Sequence, residues 1–298
     1  MHIQECDYTH SEAEFDAMRE LMVRSYLVNR RPFNWRLAMA ENWNYASLYL
    51  EPIEYFIERV HLWRGKDEAL AGFLIHDYDM TCPQVDYQHR DLEDEMFAWT
   101  EAHWGGEKSE INTMVYDWDV ERQDLLQKRG YENKGAIEDV RIYDLNLNYP
   151  EVELPPGFRF GSMAEGIQAA ERVALENSVW NATLTDDWLR GKQSAPSYSP
   201  AWDLLAISPE GKLAAANLVW LYPRNRSAEI DPLGTHPDFR KLGLARALVL
   251  ESFKRMNTSG IELAYIASYT QNPVVSKFYA SLDPVELIQG YHWVKKVA

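Results

Sequence analysis

Apolar and polar positions change rhythm repeatedly along the second half of the chain, and each change predicts an element. A short strand is expected around Phe158–Ser162, followed by a helix-period stretch, "EGIQAAERVALENSVW" (165–180). "DLLAIS" (203–208) turns through "PEGK" into "LAAANLVWLYP" (213–223), which is a hairpin signal. "AEIDPLGT" (228–235) is the next strand. Pro232 inside it cannot donate to a ladder, so a bulge or an edge is expected there. "LARALVLESFKRM" (244–256) places Leu244, Leu248 and Phe253 near one helical face. "ELAYIAS" (262–268), "PVVSKFYASL" (273–282) and "VELIQGYHWVKKV" (285–297) then read as strand, helix and closing strand. The order β-α-β-β-β-α-β-α-β predicts an α/β chain with a mixed sheet flanked by helices on both faces.

The first half repeats this order more faintly. "AEFDAMRELMVRSYLV" (13–28) is helical, and "EYFIERVHLWR" (54–64), "GKDEA" and "LAGFLIHDY" (70–78) form a hairpin. "LEDEMFAWTEAHW" (92–104) is a helix, "INTMVYDWD" (111–119) a strand, and "VERQDLLQKRG" (120–130) a helix. "YENKGAIEDVRIYDLN" (131–146) ends the unit. Pro150, Pro155, Pro156 and Gly157 then punctuate the chain, so two units of about 150 residues are expected, 1–150 and 151–298.

Composition narrows the partners. Residues 1–150 carry 30 Asp and Glu against 15 Lys and Arg, whereas 151–298 carry 16 against 15. Nucleic acid is a poor partner for so acidic a surface, because its binding depends on neutralised phosphates. The longest apolar runs are too short to span a bilayer, and "MHIQECDYTH" lacks the basic and apolar regions of a secretory signal. Cys6 and Cys82 form neither a metal-ligand spacing nor a disulfide framework. A cytoplasmic protein without metal, monomeric or homodimeric, is the expectation.

The stretch "RKLGLA" (240–245) carries the chemistry. It delivers consecutive backbone N–H groups and enters a helix at once, and a helix start concentrates unpaired donors and partial positive charge. Gly243 admits a ligand that a Cβ would block, and Ala245 is small. Arg240, Lys241 and Arg246 add cations. An anion site is expected here, although neither a Walker loop nor a dinucleotide fingerprint is present.

Arg-x-x-Gly-x-Ala between a strand and a helix in this order resembles the acetyl-CoA pyrophosphate loop of the GNAT N-acetyltransferase superfamily. "NPVVSKFY" (272–279) is similar to that family's Asn-to-Tyr pattern after strand five. The resemblance implies tandem GNAT-like domains, each a mostly antiparallel mixed sheet flanked by helices. It implies acetyl-CoA as co-substrate, a small-molecule amine as acceptor and direct attack in a ternary complex. Leu233, Gly234 and Thr235 would bind the pantetheine arm, with Asn272 nearby. Backbone groups from Arg240 through Leu242, Gly243, Leu244 and Ala245 would hold the pyrophosphate. Tyr279 would be the general acid and Glu229 the base, with Asp231 as its rival. His236 is expected to cap its turn. "SLDP" (281–284) departs from the Leu-Gly-Phe usual after the tyrosine, which places Asp283 and Pro284 at that turn. A CoA-binding sensor and a non-catalytic interaction module are the rival classes.

In the first half, "HRDLEDEMFAW" puts Arg90 opposite Arg240, Glu93 opposite Gly243 and Glu95 opposite Ala245. Carboxylates would stand where a pyrophosphate should lie. "DMTCPQVDYQ" lacks apolar alternation, so the strand before that helix is expected to be poorly formed. The first half is therefore expected to be degenerate and unable to bind acetyl-CoA, packing against the second and shaping the acceptor pocket.

Overall fold

The computed structural model describes residues 3–66, 69–105 and 109–297. The first half contributes β1 (Gln4–Asp7), α1 (Glu12–Asn29), α2 (Leu37–Glu41), α3 (Ile53–Ile57), β2 (Val60–Arg64), β3 (Leu70–Asp77), β4 (Met80–Val85), α4 (Glu93–His103), β5 (Glu110–Tyr116), α5 (Val120–Lys128) and β6 (Glu132–Asp144). The second half contributes β7 (Arg159–Ser162), α6 (Ala169–Trp180), α7 (Asp186–Ser194), β8 (Asp203–Ile207), β9 (Leu213–Tyr222), β10 (Ser227–Thr235), α8 (Leu244–Thr258), β11 (Leu263–Tyr269), α9 (Pro273–Ala280) and β12 (Glu286–Lys296).

Local chemistry sets many of these boundaries. Ser11 and Glu14 form a capping box that starts α1, and Arg30 ends it at φ 59°. Asn272 caps α9 by accepting from the Val275 N–H, with Pro273 at the first helical position. β9 is buried over eight consecutive residues, all apolar but Asn217, because it lies deep in the sheet with both faces covered.

All twelve strands of the described residues join one sheet, in the order β1-β2-β3-β4-β5-β12-β6-β11-β10-β9-β8-β7. The order places the two halves about a pseudo-twofold between β12 and β6. Each half gives its last strand to the other. β12 pairs antiparallel with β5, and β6 pairs antiparallel with β11. β6 and β12 then pair antiparallel with each other over most of their length. The boundary near 146–160 divides the sequence, but in space the units interlock.

α8 and α9 pack on one face of the second half's sheet, around Ile230, Val249, Phe253 and Ile266. The opposite face meets the first half. There the Tyr26 and Tyr265 hydroxyls share a hydrogen bond, and the Tyr265 hydroxyl donates to the Arg30 carbonyl at 3.1 Å.

Four expectations need correction or addition. The stretch expected as one strand at 54–64 divides into α3 and β2. β4 is a regular strand paired with β3 from Met80 to Val85, and it lacks alternation because both its faces are buried. β1 and α7 are further elements that the hydrophobic pattern does not announce. Asp67 and Glu68 of the expected "GKDEA" turn lie outside the described residues.

Candidate functional site

The loop before α8 is built from backbone. Lys241 takes φ 66° and Gly243 takes φ 80°, so left-handed residues alternate with ordinary ones and turn successive N–H groups to one side. Among the described residues, no N–H from Lys241 through Arg246 has a hydrogen-bond acceptor; the Ala247 N–H is the next that does, bonding the Gly243 carbonyl at 3.0 Å. A Cβ at Gly243 would meet nothing within 4 Å, so the space above the helix start is open. Leu244 is buried and anchors the helix, while Leu242 is exposed. Arg240 bends back to donate to the Thr235 carbonyl at 3.3 Å, and Arg246 donates to the Ser281 carbonyl at 3.1 Å. Cations, free donors and open space converge on one end of α8, which is the chemistry an oxyanion needs.

The strand leading to this loop parts from its neighbour. β10 pairs in parallel with β11 only from Ser227 to Glu229. Its register with β9 then slips between Ile230 and Leu233, which is the bulge expected at Pro232. The Trp220 indole donates to the Asp231 carbonyl at 2.6 Å and fixes the bulge from the side. Leu233, Gly234 and Thr235 stay paired with β9, while among the described residues no strand pairs with their other edge. A Cβ on Gly234 would come within 2.7 Å of Val179, so this glycine lets α6 close against the strand.

Two carboxylates stand where the strands part. Glu229 is 2% exposed, and it accepts from Arg36 Nε at 2.6 Å. Burial pushes its carboxyl up to about 7, against the opposing pull of Arg36. It also borders a cavity of about 50 Å³ between the halves, walled by Tyr26, Trp35, Arg36, Tyr222 and Tyr265. That volume is near the scale of a water molecule and far below that of an acceptor. Asp231 differs. It is exposed to solvent where β10 leaves β11, yet protein surrounds it closely, and burial pushes its carboxyl above the usual range.

The first half reaches into this region through residues that no local pattern marks. Arg36 donates from Nη1 to Glu138 at 2.7 Å and to the Tyr116 hydroxyl at 2.9 Å, and Tyr116 donates to Glu138 at 2.9 Å. One arginine therefore holds two glutamates from different halves, Glu229 buried and Glu138 half-buried. Arg141, carried in on β6, donates to Asp139 at 2.9 Å and to Ser276 of α9 at 2.7 Å.

Tyr279 is nearly buried on α9, and its carbonyl accepts from the Tyr143 hydroxyl at 2.8 Å. Its own hydroxyl has no hydrogen-bond partner among the described residues. Burial, with Asp231 adding to it, pushes the pKa of its phenol further up and keeps it protonated. Asn272 commits its side-chain oxygen to the Val275 N–H at 3.2 Å. Asp283 takes φ 56°, the left-handed turn a glycine would favour at this place. His236 accepts from the Asp238 N–H at 3.2 Å, in the capping role expected of it. Among the described residues no group of three or more His, Cys, Asp or Glu is arranged to hold a metal ion, and no helix is long and apolar enough to cross a membrane.

Residues 168–283 match the Acetyltransferase (GNAT) family. The chain is 23% identical over 165 residues to a mycothiol acetyltransferase of Arthrobacter sp. (strain FB24), a stretch covering 52% of this chain and 51% of that one. The chain thus spans about half the length of the curated relatives it matches. A tandem GNAT protein from the clavulanic acid biosynthesis pathway is 14% identical with a TM-score of 0.66, covering 100% of this chain and 99% of that one. A GCN5-related N-acetyltransferase from Sphaerobacter thermophilus is 16% identical with a TM-score of 0.61, covering 99% and 96%.

Proposed function

The chain has the tandem GNAT fold, with a GNAT-family domain in its second half, and from that premise we propose that it transfers an acetyl group from acetyl-CoA to a small amine in the cleft where β10 and β11 part. The observation that carries this reading is the run of unpartnered N–H groups from Lys241 to Arg246 at an open helix start. Those residues fit a pyrophosphate, with Arg240, Lys241 and Arg246 adding charge. The free edge of Leu233–Thr235 fits an extended arm that bonds like a strand. When bound, acetyl-CoA supplies the activated acetyl thioester.

The chain's own groups supply the proton transfers. An amine attacks only after losing a proton, and Asp231, exposed where β10 and β11 part with its carboxyl raised above the usual range, is the base best placed to take it. Glu229 is tied to Arg36, so its role is to fix the charge around Asp231. Tyr279 Oη, held protonated, donates to the departing thiolate. The first half holds no acetyl-CoA on this reading; it braces the cleft through Arg36 and Glu138.

The test is calorimetry with acetyl-CoA, followed by an amine screen that detects free thiol. Asp231→Asn and Tyr279→Phe should each lower kcat by roughly a hundredfold or more while leaving acetyl-CoA affinity within about twofold. Binding without thiol release from any amine would make the chain a CoA sensor instead. Absence of binding would remove both readings.

A further inference from the structure

Lys192 has no part in the chemistry above, yet its placement needs an explanation. It lies on α7, which Thr185 starts by accepting from the Trp188 N–H at 3.4 Å, and it is 4% exposed. Its ammonium sits 4.4 Å from the centre of the Trp188 ring, whose face answers one side of the cation. Among the described residues it has neither a carboxylate within ion-pair distance nor a hydrogen-bond acceptor. A lysine this deep is ordinarily paired, because an isolated buried ammonium is strongly unfavourable.

The acids around it are engaged elsewhere. Glu176 accepts from Arg172 at 2.6 Å, and Asp203 accepts from Arg172 at 3.0 Å and from the Tyr198 hydroxyl at 3.3 Å. Asp231 is the remaining acid whose charge acts on Lys192, and it too has no ion pair among the described residues. Lys192 and Asp231 are therefore opposite charges that act on each other, each without an ion-pair partner among the described residues and too far apart to pair with each other.

α7 is also held in place from outside. A Cβ on Gly191 would lie 2.4 Å from the Tyr45 carbonyl oxygen and 2.6 Å from the Tyr49 ring, so this glycine lets the first half press directly on the helix. Glu41 then accepts from the Ser197 N–H at 2.8 Å and fixes the segment that follows. Lys192 is thereby positioned by both halves, as a specificity-determining residue should be.

Resting on the reading of this cleft as the acceptor site, we propose that the acceptor is a primary amine that also carries a carboxylate, with Asp231 facing its ammonium and Lys192 facing its carboxylate. The transfer forms the bond from the amine nitrogen to the acetyl carbon and breaks the thioester C–S bond; the ammonium gives one proton to Asp231 before attack, the thiolate takes a proton from Tyr279, and the second nitrogen proton, lost as the adduct collapses, replaces the one Tyr279 gave. The acceptor carboxylate stays unchanged throughout. It serves to hold the amine beside its base.

The experiment uses the full chain, acetyl-CoA and free-thiol detection with matched acceptors: the common amino acids, their carboxamides, and amines lacking the carboxylate. The acids should be acetylated with kcat/KM at least about tenfold above their amides. Lys192→Met should raise KM for the acids by about tenfold or more and leave kcat/KM for the amides and calorimetric acetyl-CoA affinity within about twofold, and Lys192→Arg should restore part of the preference. Should Lys192→Met fail to fold, the wild-type comparison and Lys192→Arg decide alone. Equal or faster transfer to amides, equal losses for acids and amides in Lys192→Met, or thiol release from none of the acids overturns the proposal. Release from carboxylate-free amines alone overturns it while leaving acetyl transfer standing, and no acetyl-CoA binding by the wild type removes both.

Discussion

The starts of α4 and α8 occupy equivalent places in the two halves and carry opposite solutions. At α8, six unpartnered N–H groups, an open glycine and exposed cations stand together, the arrangement proposed here to take an anion. At α4 the anion is built in. Glu93 is 1% exposed and accepts from Arg122 at 2.8 and 3.0 Å, with Arg90 at 2.6 Å. Asp119 accepts from Arg90 at 2.7 Å and closes the cluster. The gap between the strands differs in the same sense. β4 touches β5 at a single pair, Thr81 and Thr113, but Asn34 bridges beside it, donating to the Met114 carbonyl at 2.7 Å and accepting from Gln84 at 2.9 Å. Phe33 packs against Arg122, its ring centre 4.6 Å from the guanidinium carbon. One fold thus either leaves a helix start open to a ligand or fills it with its own charges, and a filled start gains stability by the burial that removes the site.

The largest test of this comparison writes one half into the other. Gly243→Glu places a carboxylate, in a backbone conformation that disfavours it, where the pyrophosphate is proposed to lie. Acetyl-CoA affinity should fall by more than about a hundredfold in calorimetry. Gly243→Ala separates strain from charge and should lower stability by about 1 kcal/mol with a smaller loss of affinity. Affinity retained in Gly243→Glu would show that the anion sits elsewhere.

The converse change probes the filled half. Glu93→Gln leaves Arg90 and Arg122 facing a neutral group in the interior, so urea unfolding should show a loss of about 3–5 kcal/mol. No second equivalent of acetyl-CoA should bind, because Phe33 and Asn34 still fill the gap. A second equivalent would break the comparison.

The smallest effect concerns the joint between the halves. The Glu229 carboxyl stands near 7 in the folded chain and returns to its ordinary range on unfolding, so the folded state binds the extra proton between those values. Its stabilising contribution is fully present below the ordinary carboxylate range and is lost as pH rises through about 7. Unfolding free energies from urea titration should therefore decline by about 1 kcal/mol per pH unit between roughly pH 5 and 7, and Glu229→Gln should flatten that slope. An unchanged slope would assign the pH dependence to other groups.

How much of this was legible follows from the range of each interaction. The anion loop could be read because its donors are consecutive backbone groups, and six adjacent residues with one glycine are enough to specify them. Glu93 could be read as an obstruction for the same reason. α7 was missed because it is short and mostly polar, and Lys192 went with it. Arg36 and Glu229 lie 193 residues apart, and nothing near either one announces the other. The exchange of β6 and β12 was equally hidden, since each has the length and pattern of a closing strand for its own half. By itself the sequence determined which helix start is open and which is filled, because that choice is local. Only the tertiary structure decided whose strand and whose arginine complete the cleft, because strand pairing and buried ion pairs depend on which distant segments folding brings together.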